Sequence, residues 1–334
     1  MIRPDSSGVT SSFTESFERL SAEQVRRLIN SVYGIVAAED PVRLPTERDD
    51  TYRATTRLGD SYVIKIAHPG DQPRVIEMQT AALLHASRRD PLLPLERVIP
   101  SADGEQLPRV VVPDGQRRIV RVTTFLSGRA LRSVQPSPNQ LRQCGRVLAR
   151  MANALSDFHH DAADRHLAYD LQNFHELDVM RPLADSPAVG RVFDWYGSTF
   201  VPAAGDLPTQ VVHGDFSVDN ILVDPASNDF VQGVLDWGDV MHSWRAADLA
   251  SGLASQVAVD GDPWEGPRHM IAGYREVCVM TDSESELIRG LVSMRITQRL
   301  LMALHLSEAM PHNAEYLSRN IGWSAAQLSN LVGV

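Results

Sequence analysis

Short apolar runs in the first part of the chain predict about five β-strands. These runs lie at Gly34–Leu44, Thr51–Leu58, Ser61–Ala67, Arg109–Val112 and Arg118–Leu126. Gly59-Asp60, between the second and third runs, is typical of a tight hairpin turn. The first part of the chain is therefore predicted to contain an antiparallel sheet.

Several helices are predicted from residues that typically begin a helix and from apolar residues at helical spacing. Ser21-Ala-Glu-Gln24 is a capping box that predicts a short helix, and Pro73 opens the main helix of the first part. Apolar residues then recur at helical spacing over Asn139–His160 and over Glu284–Met310. The second part of the chain is therefore predicted to be mainly helical.

Together these patterns predict an α+β fold with two lobes. We expect a flexible N-terminal tail over residues 1–20, a lobe with an antiparallel sheet and one main helix over 21–124, and a larger, mainly helical lobe over 125–334. Two further apolar runs in the second lobe, Ile221–Val223 and Val231–Leu235, are short enough to be strands. Polar residues flank both runs, and we expect the chemistry of the protein there.

Composition and charge exclude several function classes. The chain has 334 residues, 43% of them apolar, and a formal net charge of -10, which argues against a nucleic-acid partner. No apolar run approaches the roughly 18 residues of a membrane span. The two cysteines, Cys144 and Cys278, form no motif, so we expect a reduced, cytoplasmic compartment.

Lys65 stands in an otherwise apolar strand, Tyr-Val-Ile-Lys-Ile. A lysine in a half-buried strand needs a counter-charge or an anionic ligand. Glu77 on the following helix can supply the first, and the phosphates of a nucleotide can supply the second. The alternative is an edge strand with Lys65 in solvent.

Polar residues on the two loops of the second lobe have the types needed to bind a metal and phosphates. Asp215 is a candidate base that orients an attacking hydroxyl, and His213 is expected to brace its loop through hydrogen bonds. Asn220 and Asp236 are candidate Mg²⁺ ligands, because hard cations take oxygen donors. Alternatively, each could be an ordinary turn residue at a strand end.

These residues carry a resemblance to a known family. His213-Gly-Asp215-Phe-Ser-Val-Asp-Asn220, Leu235-Asp236-Trp-Gly-Asp239 and Ala247-Asp248-Leu-Ala resemble the motifs of the aminoglycoside phosphotransferase and choline kinase family. The resemblance covers roughly residues 25 to 310 and implies a two-lobed protein-kinase-like fold. H-G-D replaces the usual H-R-D, and no A-P-E segment follows, so a protein substrate is not expected.

The resemblance implies a nucleotide site and a divalent metal. Leu44–Tyr52 resembles the hairpin that covers the phosphates, with Arg48 and Tyr52 as nucleotide contacts, although it lacks the glycines of protein kinases. Thr124, Phe125 and Leu126 would form the hinge that faces adenine with backbone groups. The implied cofactors are ATP or GTP and Mg²⁺.

A finer match concerns the acceptor substrate. Phe158-His-His160 followed by Tyr169-Asp170-Leu171-Gln-Asn173 resembles the W-D-L-x-N stretch of hydroxylysine kinase-type phosphotransferases, with Tyr169 in place of the tryptophan. This implies a small hydroxylated, amine-bearing substrate and a monomer or homodimer. Aminoglycoside, homoserine and choline or ethanolamine acceptors are alternatives, as is a non-catalytic nucleotide-binding pseudokinase module.

Several residues are candidates for the substrate pocket, which we expect between the catalytic loop and the helices after Tyr169 and after Asp239. They are Tyr169, Asp170, Trp237, Asp239, Trp244 and Arg245. An aromatic face can receive an ammonium group, and Arg245 can pair with a carboxylate. The alternative for Trp237, Trp244 and Arg245 is packing within the helical lobe.

Overall fold

The fold is known from a computed structural model, which describes residues 17–46, 49–309 and 314–332. The chain forms two compact units. The first contains the described residues up to Ser87 together with Leu95–Ser127, and the second contains Arg88–Pro94 together with the described residues from Gly128 onward. Antiparallel sheet dominates the first unit and helices dominate the second, which confirms the predicted α+β class.

An antiparallel sheet in the order β1-β2-β3-β6-β4, with β5 paired to β6, forms the first unit. The strands are β1 (Val42–Arg43), β2 (Asp50–Thr55), β3 (Ser61–Ile66), β4 (Val98–Ile99), β5 (Arg109–Val111) and β6 (Arg117–Thr124). Two helices accompany them, α1 (Ala22–Tyr33) and α2 (Pro73–Arg89). The run predicted as a strand over Gly34–Leu44 pairs only at β1 and at an isolated bridge of Ala37 with Thr56.

Local sequence explains how these elements begin. Ser21 and Gln24 form the predicted capping box, in which each side chain accepts a hydrogen bond from the other residue's backbone N–H. Gly59 adopts a φ of 95°, a conformation that favours glycine, and closes the β2–β3 hairpin. Ile64 and Val122, which are paired across β3 and β6, are fully buried in the core of this unit.

Helices make up most of the second unit. They are α3 (Pro138–Leu155), α4 (Pro187–Trp195), α5 (Arg245–Ala254), α6 (Glu265–Arg275), α7 (Asp282–Ala309) and α8 (Ala314–Val332). Helix α4 continues into a π-helical stretch, Tyr196–Phe200, and a short turn, Val201–Ala203. A 3₁₀ segment, Leu171–Leu183, follows Asp170. None of the described helices is long and apolar enough to cross a membrane.

Two small antiparallel sheets in this unit hold the loops that carry the polar motifs. Strands β7 (Arg129–Ala130), β9 (Ile221–Val223) and β10 (Val231–Val234) pair in the order β10-β9-β7. Strands β8 (Thr209–Val212) and β11 (Met241–Trp244) form the second pair. The segment after Asp239 thus begins as a strand and not as a helix, because β11 pairs with the strand that leads into His213.

Candidate active site

The catalytic-loop motif lies between β8 and β9, and the Asp236–Asp239 segment lies between β10 and β11. The backbone N–H of Leu235 donates to the carbonyl of Asn220 at 2.8 Å, which joins the two loops. Gly214 has a φ of 88°, and a Cβ at this position would lie 2.3 Å from the carbonyl oxygen of Asp239. A glycine is therefore required where the loops approach each other.

Asp215 is held from both sides of its carboxylate. Oδ1 accepts from Nη2 of Arg295 at 3.1 Å, and Oδ2 accepts from Nδ2 of Asn220 at 2.7 Å and from the Ser217 hydroxyl at 3.3 Å. The side chain keeps 27% exposure, whereas that of Arg295 has 12%. The carboxylate is thus fixed in orientation and still accessible to a ligand.

His213 is fully buried and braces the loop. Its Nδ1 accepts from the backbone N–H of Asp215 at 3.4 Å, which assigns the proton to Nε2, where it is donated to the Leu235 carbonyl at 3.1 Å. The Trp237 ring packs edge-on against the imidazole at 5.3 Å. With both ring nitrogens engaged, His213 has a positioning role and no free site for a ligand.

Asp248 at the start of α5 supports the same loop. It is 3% exposed, and its carboxylate accepts from the backbone N–H groups of His213 at 3.2 Å and Gly214 at 2.9 Å. Burial raises the pKa of Asp248, while His213 and the two N–H groups act in the opposite direction. Asp248 therefore fixes the backbone from which Asp215 projects.

Replacing Asp248 with alanine removes the acceptor of two buried N–H groups. Because each of the two buried unsatisfied donors costs about 1–3 kcal/mol, we expect Asp248→Ala to lower the free energy of unfolding by about 2–6 kcal/mol in denaturant titrations. The control is Asp219→Ala, which removes a surface pair with Arg132 whose side chains are 49% and 45% exposed. Such a pair contributes about 0–1 kcal/mol. Equal effects of the two substitutions would contradict the supporting role of Asp248.

Asp236 and Asp239 place two more carboxylates near Asp215. Asp236 adopts a left-handed φ of 61° and accepts from the Gly238 N–H at 3.0 Å. Burial, followed by the charges of Asp215 and Asp236, raises the pKa of Asp239 to about 6, with Arg295 and Arg165 acting in the opposite direction. This concentration of negative charge favours cations at the surface of the loop.

The oxygen atoms of this site fit a metal ion that is bound partly by the protein and partly by the phosphates of a nucleotide. Asn220 donates both to the carboxylate and to the carbonyl of Asp215 through Nδ2, which leaves its amide oxygen as the possible metal ligand. Within the described ranges, no three His, Cys, Asp or Glu side chains group closely enough to hold a metal ion. One carboxylate and one amide oxygen, completed by water and phosphate oxygens, is the usual environment of Mg²⁺.

The predicted ion pair between Lys65 and Glu77 is not formed. Glu77 is exposed and accepts from Arg109 at 3.3 Å, and Lys65 has no carboxylate partner among the residues the structure describes. The prediction was wrong because Glu77 lies on the solvent side of α2. Lys65 is partly buried in β3, opposite Arg121 on β6.

Three of the other predicted nucleotide contacts use a side chain or a backbone N–H group for hydrogen bonds within the protein. Tyr52 is 3% exposed in the core, and its hydroxyl donates to the Leu20 carbonyl, so its side chain does not face a ligand. The N–H groups of Thr124 and Phe125 donate to the carbonyls of Arg97 and Ser61, both at 2.9 Å.

Leu126 differs from the other two predicted hinge positions in its backbone N–H group. Among the described residues, its N–H is the one of the three predicted hinge N–H groups without a partner. The neighbouring Phe125 ring lies 4.1 Å from the guanidinium of Arg53. Arg48 lies outside the described residues.

Four of the predicted pocket residues make packing contacts, hydrogen bonds or an ion pair with other residues of the second unit. Trp237 is fully buried against His213, and the Trp244 ring packs edge-on against Phe200 at 5.0 Å. Arg245 is engaged by the buried Glu284 through two hydrogen bonds. Asp170 caps the 3₁₀ segment and accepts from the Ser243 hydroxyl at 2.6 Å.

The structure brings Arg295 into the site, a residue that the sequence motifs did not indicate. Its Nη1 donates to the Tyr169 carbonyl at 3.2 Å and to Gln298 at 2.8 Å, while Nη2 donates to Asp215. Tyr169, one of the predicted pocket residues, therefore lies beside the catalytic loop. The sequence does show arginines within the apolar helical pattern of α7. Because a buried cation requires partners, such arginines indicate a polar or charged site nearby.

Comparison with known proteins places these motifs in a family. The sequence profile of the phosphotransferase enzyme family matches residues 43–277. Hydroxylysine kinase of Mus musculus is 27% identical over 333 residues, which cover 91% of this chain and 88% of the mouse protein. Homoserine kinase of Zymomonas mobilis is 26% identical over 258 residues, covering 72% and 74% of the two chains.

Solved structures with the same fold include two kinases. An amicoumacin kinase in complex with AMP-PNP, Ca²⁺ and Ami has a TM-score of 0.67 at 16% identity, covering 97% of this chain and 96% of that one. A microcompartment-associated aminopropanol kinase has a TM-score of 0.66 at 18% identity, covering 92% and 96%. These similarities confirm the protein-kinase-like fold. The chain belongs to the phosphotransferase enzyme family and is a small-molecule kinase.

Proposed function

We propose that this kinase transfers the γ-phosphoryl group of ATP or GTP to a hydroxyl of a small amine-bearing metabolite, with 5-hydroxylysine as the first choice. The observation that carries this proposal is the geometry of Asp215, an accessible carboxylate fixed by Arg295 and Asn220. The similarity to hydroxylysine kinases supports the choice of acceptor.

Asp215 has the chemistry required for this reaction. Its carboxylate accepts the hydrogen bond of the acceptor hydroxyl and orients that oxygen towards the γ-phosphorus. The new bond joins the acceptor oxygen to phosphorus, and the bond from phosphorus to the bridging oxygen of the nucleotide breaks. The nucleoside diphosphate leaves, and the hydroxyl proton passes to Asp215. The hydrogen bond from Arg295 orients the carboxylate for this step.

Both units contain groups of a type suited to binding a nucleotide. In the second unit, Asn220 and Asp236 would hold Mg²⁺, which neutralises charge on the phosphoryl group when bound. In the first unit, Lys65 is a partly buried ammonium without a carboxylate partner among the described residues, which suits contact with phosphate oxygens. The backbone N–H of Leu126 is the hinge donor available to adenine or guanine.

Asp239 is the proposed partner of the substrate ammonium. It is a half-buried carboxylate close enough to Asp215 and Asp236 for their charges to raise its pKa. A cation placed beside it relieves this repulsion, which favours an amine-bearing acceptor. Homoserine, supported by the similarity to a homoserine kinase, is the second candidate acceptor.

Nucleotide consumption across a panel of acceptors tests the proposal. The panel contains 5-hydroxylysine, homoserine, choline, ethanolamine and several aminoglycosides, with Mg²⁺ and with ATP and GTP run separately. We expect 5-hydroxylysine to give the highest kcat/KM. Higher kcat/KM with choline, ethanolamine or an aminoglycoside would contradict the proposed acceptor, and no stimulation by any acceptor would contradict the proposed reaction.

A further inference from the structure

Arg299 on α7 is a cation without a carboxylate partner among the described residues. Nε donates to the Ser324 hydroxyl at 2.9 Å, and Nη2 donates to the amide oxygen of Gln327. Its guanidinium lies 4.3 Å from the centre of the Trp323 ring. All of these partners are neutral, and the side chain is only partly exposed.

Two neighbouring arginines are paired, in contrast to Arg299. Arg295 lies one helical turn earlier and is bound to Asp215 at 3.1 Å. The guanidinium of Arg132 lies 5.5 Å from the centre of the same Trp323 ring and donates to Asp219 through Nε at 2.6 Å and Nη2 at 2.5 Å. Among the side chains that the structure describes, this arginine cluster (Arg132, Arg295 and Arg299) thus has three positive charges against two carboxylates.

Burial and the two neighbouring arginines destabilise the charged form of Arg299. Burial, followed by the charges of Arg295 and Arg132, lowers the pKa of Arg299 to about 9, and Asp215 and Asp219 offset this only in part. The guanidinium remains charged at neutral pH. A buried cation of this kind is stabilised by an anionic ligand that supplies the missing negative charge.

We propose that Arg299 binds the carboxylate of the acceptor, so that the substrate class is a hydroxy amino acid. The inference rests on the proposed function and adds a binding site to it. Arg299 follows Arg295 by one turn of the same helix, and Arg295 contacts Asp215 directly. A bound carboxylate at Arg299 therefore places the rest of a short acceptor beside Asp215.

The cluster also disfavours the other acceptors. The chain as a whole has a net charge of -10, so its overall electrostatic field does not attract anions. Attraction of a carboxylate is therefore local to these arginines. Choline, ethanolamine and aminoglycosides have no carboxylate and would leave Arg299 uncompensated while adding a cation next to it. Discrimination against them arises from this unfavourable contact as well as from the lost ion pair.

Matched acceptors test the site directly. 5-Hydroxylysine and 1,5-diamino-2-pentanol share the hydroxyl and both amines and differ in the carboxylate. Calorimetric binding to the full chain gives a readout that does not depend on turnover. Since a charge-assisted hydrogen bond contributes about 1.5–3 kcal/mol, we expect the carboxylate to improve the Kd about tenfold to a hundredfold.

Variants identify the residue responsible. In Arg299→Gln we expect the two compounds to bind equally, and in Arg299→Lys, which keeps the charge and guards against loss of folding, we expect part of the preference to return. Arg289→Gln is the matched control, an exposed arginine on the same helix, and should keep the wild-type ratio. An undiminished ratio in Arg299→Gln, or no preference in the wild type, would overturn the proposal.

The same experiment separates this inference from the proposed function. Carboxylate-dependent binding without phosphoryl transfer supports the site and contradicts the reaction. Transfer to both compounds with equal kcat/KM supports the reaction and contradicts the site.

Discussion

Asp215→Asn is expected to reduce kcat by about 10²–10⁴-fold, which is the usual contribution of a positioned general base. The substitution keeps the shape of the side chain and removes the charge that accepts the proton. Because Asn220 and Ser217 can still contact the amide, we expect the fold and the nucleotide affinity to be retained. Steady-state turnover and nucleotide binding, measured on the same preparation, check both parts.

The control for this substitution is Asp224→Asn. Asp224 follows β9 in the same unit, is exposed, and accepts from the Ala226 N–H at 3.0 Å. Its substitution therefore makes the same chemical change outside the site. We expect wild-type kcat for this variant. If Asp215→Asn kept more than about a tenth of the wild-type kcat, the loss would be smaller than the roughly 10²-fold minimum expected for a general base. The assignment of Asp215 as the base would then be wrong.

Asp236→Asn is expected to lower kcat/KM by roughly 10²–10³-fold, or about 3–4 kcal/mol of transition-state stabilisation. Asparagine tolerates the left-handed φ of 61° at this position, so the loop should keep its conformation. The loss comes from removing one negative ligand of the metal. Titration with Mg²⁺ measures the effect, and we expect the variant to require a higher Mg²⁺ concentration for half-maximal activity.

A second readout separates metal binding from misfolding in this variant. Nucleotide affinity measured without divalent metal should be the same for Asp236→Asn and the wild type. An unchanged Mg²⁺ requirement would exclude Asp236 as a metal ligand. A loss of metal-free nucleotide binding would instead indicate a disrupted loop.

Much of the fold could be predicted because its determinants are local. The capping box at Ser21-Gln24 and the glycine turn at Gly59 form as the sequence indicates. Helical periodicity over residues 139–160 and 284–310 corresponds to α3 and α7, which end within a few residues of the predicted bounds. These features depend on neighbouring residues in the chain and need no knowledge of tertiary packing.

Side-chain orientation could not be predicted in the same way. The motif gave the order of His213, Asp215 and Asn220, but it could not show that Glu77 faces Arg109 or that Tyr52 points into the core. Each of these outcomes depends on which face of an element is covered by distant parts of the chain.

Arg295 escaped prediction for the same reason. It is separated from Asp215 by 80 residues, and only the packing of α7 against the catalytic loop brings them together. The sequence shows an arginine within a helical pattern but not the carboxylate that it meets.

The most direct test of the account is ³¹P NMR of the enzyme with 5-hydroxylysine, Mg²⁺, and ATP or GTP. We predict that the γ-phosphate resonance is lost as a phosphomonoester resonance appears in equal amount, and that Asp215→Asn suppresses both changes. Conversion of the γ-phosphate to inorganic phosphate alone, or an unchanged spectrum, would contradict phosphoryl transfer to this acceptor.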